Sequence, residues 1–336
     1  MRTANAYRRQ LVIRVLPCLL ALACRVSGTI AFAQEQAISN EIVANLAGGR
    51  VIVHVAHDKI IFAAIDQPIE KNSIPPRVMS VGTTHIGILL GASEWRHTSN
   101  PTPVRLDHDF PSIGGRNPHY GVNPDEIAPD LDEIGVAFLE RLRPLVSELQ
   151  HKVDFKPDEA IFEVVLIGFA PDDYGPEVWT IEYRIQQEEI ATQGDFWQTR
   201  LLRPRFTQIY PPEKHAPKTL VEVRYPPSIQ GPTLQQLIEG NYPDIDDLTH
   251  GDPKFLKVDE DIEHGQANKA APQDATEFMR AVLPLIAGKS HFILGGMTED
   301  SFNWIVPPDE PMEKAKVDKN QPPRAPTLRP TLKPNP

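Results

Sequence analysis

The sequence predicts an α+β fold in which antiparallel sheets stack face to face and helices flank them. Three observations carry this. Apolar runs of strand length pair into hairpins near 50–65 and 161–185. Two helical patterns, over 131–149 and 274–288, stand between groups of strands. The order is strands, helix, strand hairpin, helix, strands, which departs from the strict β-α alternation of a parallel sheet.

Gly48-Gly49 closes a short leader, and Arg50 to His57 then alternates. Val51, Val53 and Val55 face one way and Ile52, His54 and Ala56 the other, a strand by its period of two. His57-Asp58-Lys59 turns the chain. Ile60 to Ile65 is continuously apolar, as expected of a strand buried on both faces. Together they predict a hairpin with one wet edge. Pro75-Pro76 breaks the chain, and Val78 to Val81 and His85 to Leu90 read as two more strands, separated at Gly82. Residues 95–130 are rich in Pro, Asn, Asp and Gly and read as an irregular insertion.

Leu131, Ile134, Phe138, Leu142, Leu145 and Leu149 recur every three or four residues, the stripe of an amphipathic helix. Asp130 is a candidate cap with Glu133 three residues on, and Pro144 inside is expected to kink it. Ile161 to Phe169 is a buried strand. Asp172-Asp173-Tyr174-Gly175 turns into a returning strand in which Trp179, Ile181, Tyr183 and Ile185 alternate. Residues 211–270 read as a second, mostly polar insertion, with one short helix at Leu234 to Glu239 and a solvated acidic stretch from Asp244 to Glu263. A second helix opens at Asp274 and Glu277, carries Phe278, Met279, Val282, Leu283 and Ile286, and contains Pro284. Phe292 to Leu294 is a strand ending at a Gly295-Gly296 turn, and Phe302 to Val306 is the last strand. From 307 to 336 there are nine prolines in thirty residues, the composition of a disordered or polyproline tail.

The chain has 336 residues and a formal net charge of -11. Arg2, Arg8 and Arg9, an apolar stretch from Leu11 to Ala23, and Ala31-Phe32-Ala33 before Gln34 read as a secretory signal over 1–33. Export to a periplasmic or extracellular space is the expectation; lipid anchoring through Cys24 is the lesser alternative. The signal carries five Arg and no acid, so its removal takes the charge to about -16. It also takes both cysteines, Cys18 and Cys24, and with them disulfides, thiolate metal sites and a cysteine nucleophile. An acidic chain is a poor ligand for nucleic acid, because phosphate contacts need a basic face. No stretch reaches the roughly 20 apolar residues of a membrane span, so no membrane association is expected after signal cleavage.

Several chemistries lack their motif. There is no Gly-x-Ser-x-Gly elbow, His-Glu-x-x-His, P-loop or GxGxxG. His54 and His57 fall on opposite faces of their strand and make a poor metal pair. Asp107-His108-Asp109 reads as a solvated loop, and Asp244, Asp246, Asp247 and Asp252 miss the EF-hand spacing. No cofactor or metal is predicted.

The hairpin ending Ile61-Phe62-Ala63-Ala64-Ile65-Asp66 resembles the opening of proteasome β-subunits and related N-terminal nucleophile hydrolases. The likeness continues through Arg77-Val78-Met79-Ser80-Val81 and Ile86-Gly87-Ile88-Leu89-Leu90-Gly91-Ala92. It continues further through Leu166-Ile167-Gly168-Phe169 with Asp173 and Gly175-Pro176, and through the 274–288 helix followed by Phe292-Ile293-Leu294-Gly295-Gly296. It covers most of 50–306 apart from the two insertions and implies a four-layer αββα sandwich over 34–306.

In that family, processing exposes a Thr, Ser or Cys at the start of the first strand, and its free α-amine serves as base. The resemblance implies that Asp66 is the family's Asp and that Arg77 stands at its Lys position. An arginine keeps the charge but does not accept a proton near neutral pH. The nucleophile position falls on Gly49-Arg50, which offers no hydroxyl or thiol. Asp66 and Arg77 are alternatively a plain ion pair between neighbouring strands. Gly82-Thr83-Thr84 looks like the family's cleavage junction, and a cut before Thr83 would free an N-terminal threonine. Its matching downstream positions fall on Ser99 and Gly115, which favours a turn with exposed hydroxyls. The reading that follows is an exported fold of this class without its catalysis, a binding or scaffold module for a peptide or protein partner. The alternative is an active amide or peptide hydrolase, a threonine-type enzyme with Thr83 as displaced nucleophile. The sequence fixes neither ligand nor oligomeric state.

Overall fold

The structure, a computed structural model, describes residues 42–69, 73–82, 84–98, 100, 102–107, 117–118, 127–128, 131–148, 160–170, 175–189, 197–240 and 242–309. The signal segment, the candidate cap Asp130, Thr83, the 172–174 turn and the tail from 310 lie outside them. Val43 and Arg96 to Pro103 group in a small unit of their own, in which Asn100 N donates to His97 O at 2.9 Å and Thr102 N to Asn100 Oδ1 at 3.0 Å. The remaining elements belong to one larger unit.

Fifteen strands are described: β1 (Ile42–Ala47), β2 (Gly49–Ala56), β3 (Lys59–Asp66), β4 (Arg77–Val81), β5 (His85–His97), β6 (Val104–Arg105), β7 (Asn117–Pro118), β8 (Ile127–Ala128), β9 (Ala160–Ala170), β10 (Gly175–Glu189), β11 (Trp197–Leu201), β12 (Arg205–Tyr210), β13 (Val221–Tyr225), β14 (Phe292–Met297) and β15 (Phe302–Val306). The helices are α1 (Leu131–Glu148), α2 (Leu234–Glu239), α3 (Pro243–Gly251), α4 (Pro253–Glu263) and α5 (Pro272–Ala287), with a 3₁₀ turn at Ala267–Lys269. Among the described residues no helix is long and apolar enough to cross a membrane.

The fold is an α+β sandwich of two antiparallel sheets. The eight-stranded sheet runs β1-β5-β9-β10-β11, with β4 and β6 also on β5 and β12 also on β10. The five-stranded sheet runs β13-β2-β3-β14-β15. The β2–β3 hairpin sits where its pattern places it. Val51, Val53, Val55, Ile60, Phe62 and Ala64 face the other sheet and meet Ile86, Ile88, Leu90, Val165, Ile167, Phe169 and Val178. The alternate residues Ile52, Ala56, Ile61, Ala63 and Ile65 face α2–α5 instead. Burial on both faces explains why Ile60 to Ile65 contains no polar residue. On the eight-stranded sheet, Phe138 of α1 packs on Phe162 and Tyr183, with ring centroids 5.2 and 6.1 Å away. The Tyr183 hydroxyl donates to Gly135 O at 3.2 Å.

Four expectations are corrected. The β2–β3 hairpin has no wet edge, because β13 pairs with β2 from Val221↔Val53 to Tyr225↔Gly49. The region 211–270 is not an insertion: it supplies β13 and three helices to the second core. Ile245, Val258 and Ile262 bury against Phe278, Met279 and Leu283. The acidic stretch is therefore two helices with one buried stripe each; most of its carboxylates face outward, while Asp261 is buried. Pro243 and Pro253 stand at the first helical positions, where the missing N–H costs nothing. Asp252 caps α4 by accepting from Lys254 N at 2.9 Å. Finally, Gly295 and Gly296 are not a turn but the middle of β14, opposite Phe62 and Ile61. A side chain at Gly295 would overlap the Phe62 ring, so this strand is glycine because the ring lies flat on its backbone. Pro144 and Pro284 are accommodated within α1 and α5.

Phe62 is fully buried between the sheets, with Phe302 and Trp304 at ring-centroid distances of 6.1 and 5.8 Å. Phe62→Ala is expected to destabilise the fold by about 3–5 kcal/mol, read as a lowered urea midpoint with an unchanged slope. A change under about 1 kcal/mol would mean that this core is not what joins the sheets.

Candidate functional site

Gly49 and Asp66, two of the positions that the resemblance singles out, lie at one end of the five-stranded sheet. Gly49 opens β2 and pairs with Asp66, the last residue of β3. Asp66 follows Phe62 and Ala64 on the face turned to the other sheet. Its Oδ1 is buried with no hydrogen-bond partner among the described residues. Desolvation pushes its carboxyl above the ordinary aspartate range, and the charge of His291 opposes this in part. His291 O accepts from Asp66 N at 2.8 Å.

Arg50, beside the nucleophile position, is committed elsewhere. Its Nε donates to Glu222 Oε1 at 2.9 Å, Nη2 lies 2.9 Å from the same oxygen as an ion pair, and Nη2 donates to Pro232 O at 3.1 Å. Glu222 binds Arg224 Nε at 2.7 Å and, through Oε2, the Leu234 N–H that opens α2. One carboxylate thus ties β2, β13 and α2 together. Arg77 does not pair with Asp66. It lies on the eight-stranded sheet and donates through Nη2 to Glu94 Oε2 at 3.0 Å, while Asn45 Nδ2 holds the other oxygen at 2.7 Å. The expected ion pair between neighbouring strands fails because the two residues belong to different sheets. Thr83 lies outside the described residues.

A constellation the sequence did not single out lies on the eight-stranded sheet. Thr84 is not the exposed turn hydroxyl expected: it is 8% exposed, and its Oγ1 lies 2.8 Å from His85 Nδ1. His85 Nε2 lies 2.9 Å from Glu177 Oε1, and Trp179 Nε1 donates to Glu177 Oε2 at 2.9 Å. All four side chains are buried. The alternation of β10 puts Glu177 and Trp179 on one face, and β5 brings His85 beside them across β9. His85 stands opposite Gly168 in the β5–β9 register, and any side chain at 168 would overlap the imidazole. A carboxylate accepts only, and indole N–H donates only. With Glu177 ionised, the shared imidazole proton sits on Nε2, and Nδ1 is left to accept the Thr84 hydroxyl proton. The sequence signal was present: an acid, Glu177, inside an otherwise apolar strand start, two residues before a tryptophan.

Two further groups are buried without that organisation. Glu163 and Glu182 stand directly opposite each other on β9 and β10. Burial, with Glu182 adding repulsion, pushes Glu163 up to about 8. His54 is fully rather than half buried, and its Nε2 contacts Ala267 O at 3.0 Å. Desolvation lowers it to about 4, so it is a neutral core histidine. His57 is exposed at the hairpin turn, as expected. Asp107 is held by Arg105 through two bonds of 3.1 and 2.7 Å; His108 and Asp109 lie outside the described residues. Among the described residues no group of three or more His, Cys, Asp or Glu is arranged to hold a metal ion.

No protein-family model matches the chain, and no curated protein matches its sequence.

The Glu163 shift gives a measurable pH dependence. An exposed glutamate loses its proton near 4.5, while folded Glu163 keeps its own to about 8. Between those values the folded state binds more protons than the unfolded state, so stability falls as pH rises through the window. Glu163→Gln removes the titration. The variant is expected to gain on the wild type in urea unfolding as pH rises from about 5 to about 8. A stability difference that stays flat across the window would contradict the buried, protonated carboxyl.

Proposed function

We propose that the chain is an exported protein of the proteasome-like N-terminal nucleophile class that has lost that class's catalysis and serves as a binding or scaffold module for a peptide or protein partner. The observation that carries this reading is the commitment of Arg50. Where the class exposes a nucleophile, this chain has Gly49, with no side chain, and an arginine bound to Glu222 and Pro232 O. The two other positions point the same way. Asp66 has no cationic side chain bonded to its buried oxygen, and Arg77 serves Glu94. A retained acid with neither nucleophile nor lysine has nothing to orient. The stacked antiparallel sheets are what such a class requires, and they support the reading without deciding it.

The test is the intact mass and N-terminal sequence of the chain recovered from its export compartment, together with turnover of fluorogenic peptide and amide substrates. The expected result is a chain beginning at Gln34, with no turnover above background and no effect of Asp66→Ala. A chain beginning at Thr83, with amide hydrolysis abolished by Thr83→Ala, would replace this reading with that of an active threonine-type hydrolase.

A further inference from the structure

We propose that Thr84, His85 and Glu177 form an acyl-transfer site that is separate from the family's site position, with the Thr84 hydroxyl as nucleophile toward carboxylic esters of small acyl groups. The inference goes beyond the binding reading and does not depend on it. None of Gly49, Arg50, Asp66 or Arg77 takes part, and a chain that has lost amide cleavage at one place can keep ester chemistry at another.

The geometry is that of an activated hydroxyl. Hydroxyl, imidazole and carboxylate stand in series at 2.8 and 2.9 Å, within the range required of a nucleophile, its base and the group that orients the base. The ring nitrogens exchange roles relative to a serine-protease triad, in which the hydroxyl meets Nε2 and the carboxylate Nδ1; either nitrogen of a neutral imidazole can serve as the base. Trp179 Nε1 holds the second carboxylate oxygen, so the orienting group is itself fixed. Gly168 leaves the space in which the ring lies.

The chain supplies its own comparison. His54 is a buried histidine too, but only its Nε2 has a partner, one backbone carbonyl at 3.0 Å, while its Nδ1 is buried with none among the described residues. A histidine needed only to fill the core can be accommodated that way. His85 is instead bracketed by a hydroxyl and a carboxylate, and that buried carboxylate has a partner on each oxygen, His85 Nε2 and Trp179 Nε1.

The step balances without a cofactor. Thr84 Oγ1 bonds to the acyl carbon as its proton passes to His85 Nδ1, and Glu177 stabilises the imidazolium. The bond from acyl carbon to alcohol oxygen breaks, and the alcohol leaves with the proton from Nδ1. Water then repeats the sequence on the acyl-threonine and releases the carboxylic acid. The enclosed position of Thr84 is the reason for a small acyl group, and the better leaving group of an ester, which asks less of the imidazolium as acid, is the reason for esters.

The probe is p-nitrophenyl acetate with the full chain, read as a p-nitrophenolate burst and as acetyl mapped to residue 84 by peptide mass. The expected result is an acetyl adduct on Thr84. It is retained at position 84 in Thr84→Ser, lost in Thr84→Val, and formed about a hundredfold or more slowly in Glu177→Gln. Thr84→Ser keeps the hydroxyl in its place, so it decides the matter even where Thr84→Val or Glu177→Gln does not fold. A folded wild-type chain with no acetyl at Thr84, or a folded Glu177→Gln that acetylates at the wild-type rate, would overturn the proposal and leave the triad as core packing.

Discussion

The layer of side chains between the two sheets constrains everything else in the molecule. Val51, Val53, Phe62 and Ala64 from one sheet interlock with Ile86, Ile88, Val165 and Ile167 from the other. Removing that apolar surface from water is the main force that keeps the sheets together, at roughly 25 cal/mol per Å². The layer also sets a rule for polar groups. A polar group that strand alternation buries, on this face or on the outer face of a sheet, loses its hydration and must find a partner there. Glu222, Glu94 and Glu177 each satisfy that rule with two or more donors. Each one also joins separate strands, so the polar contacts fix how the elements register while the apolar layer supplies the attraction.

Asp66 and Glu163 break the rule, and they do so in the same way. Neither is bound by a basic side chain among the described residues, and burial raises both carboxyls toward their neutral forms. A neutral carboxyl is the inexpensive answer to desolvation without a partner. For Asp66 this has a consequence for function. An acid that positions a nucleophile in the family's manner acts as an anion beside a cation. Here Arg50 is engaged with Glu222 and Arg77 with Glu94, and the basic group whose charge acts on Asp66 is His291.

Much of the fold was legible because two periods dominate the sequence. The alternation of Val51 to Ala56 assigned both faces of β2 correctly, and the stripe from Leu131 to Leu145 placed α1 to within a residue. Legibility failed where apolar residues were few. Ile245, Val258 and Ile262 are too sparse among carboxylates to show a period, and the helices they belong to open at Pro243 and Pro253. β13 was missed because Glu222 and Arg224 interrupt it; both turn out to be partners in one ion-pair network. The pairing of Arg77 could not be read either, since Glu94 lies seventeen residues away on the next strand and only the sheet topology brings them together.

The same limit explains how the candidate site was half seen. Gly82-Thr83-Thr84 carries two adjacent hydroxyls, and the resemblance points to Thr83. The structure organises the neighbour instead. Thr84 meets a histidine next to it in sequence and, through that histidine, an acid ninety-two residues further on. No local spacing encodes such a set; it exists only because β5 and β10 flank β9 in one sheet, with Gly168 leaving room for the ring between them. Sequence resemblance finds chemistry that a family has kept in register. Chemistry assembled across a sheet is found by asking which buried polar groups are more fully partnered than packing requires, and among the buried histidines His85 is the one that meets that criterion while His54 does not.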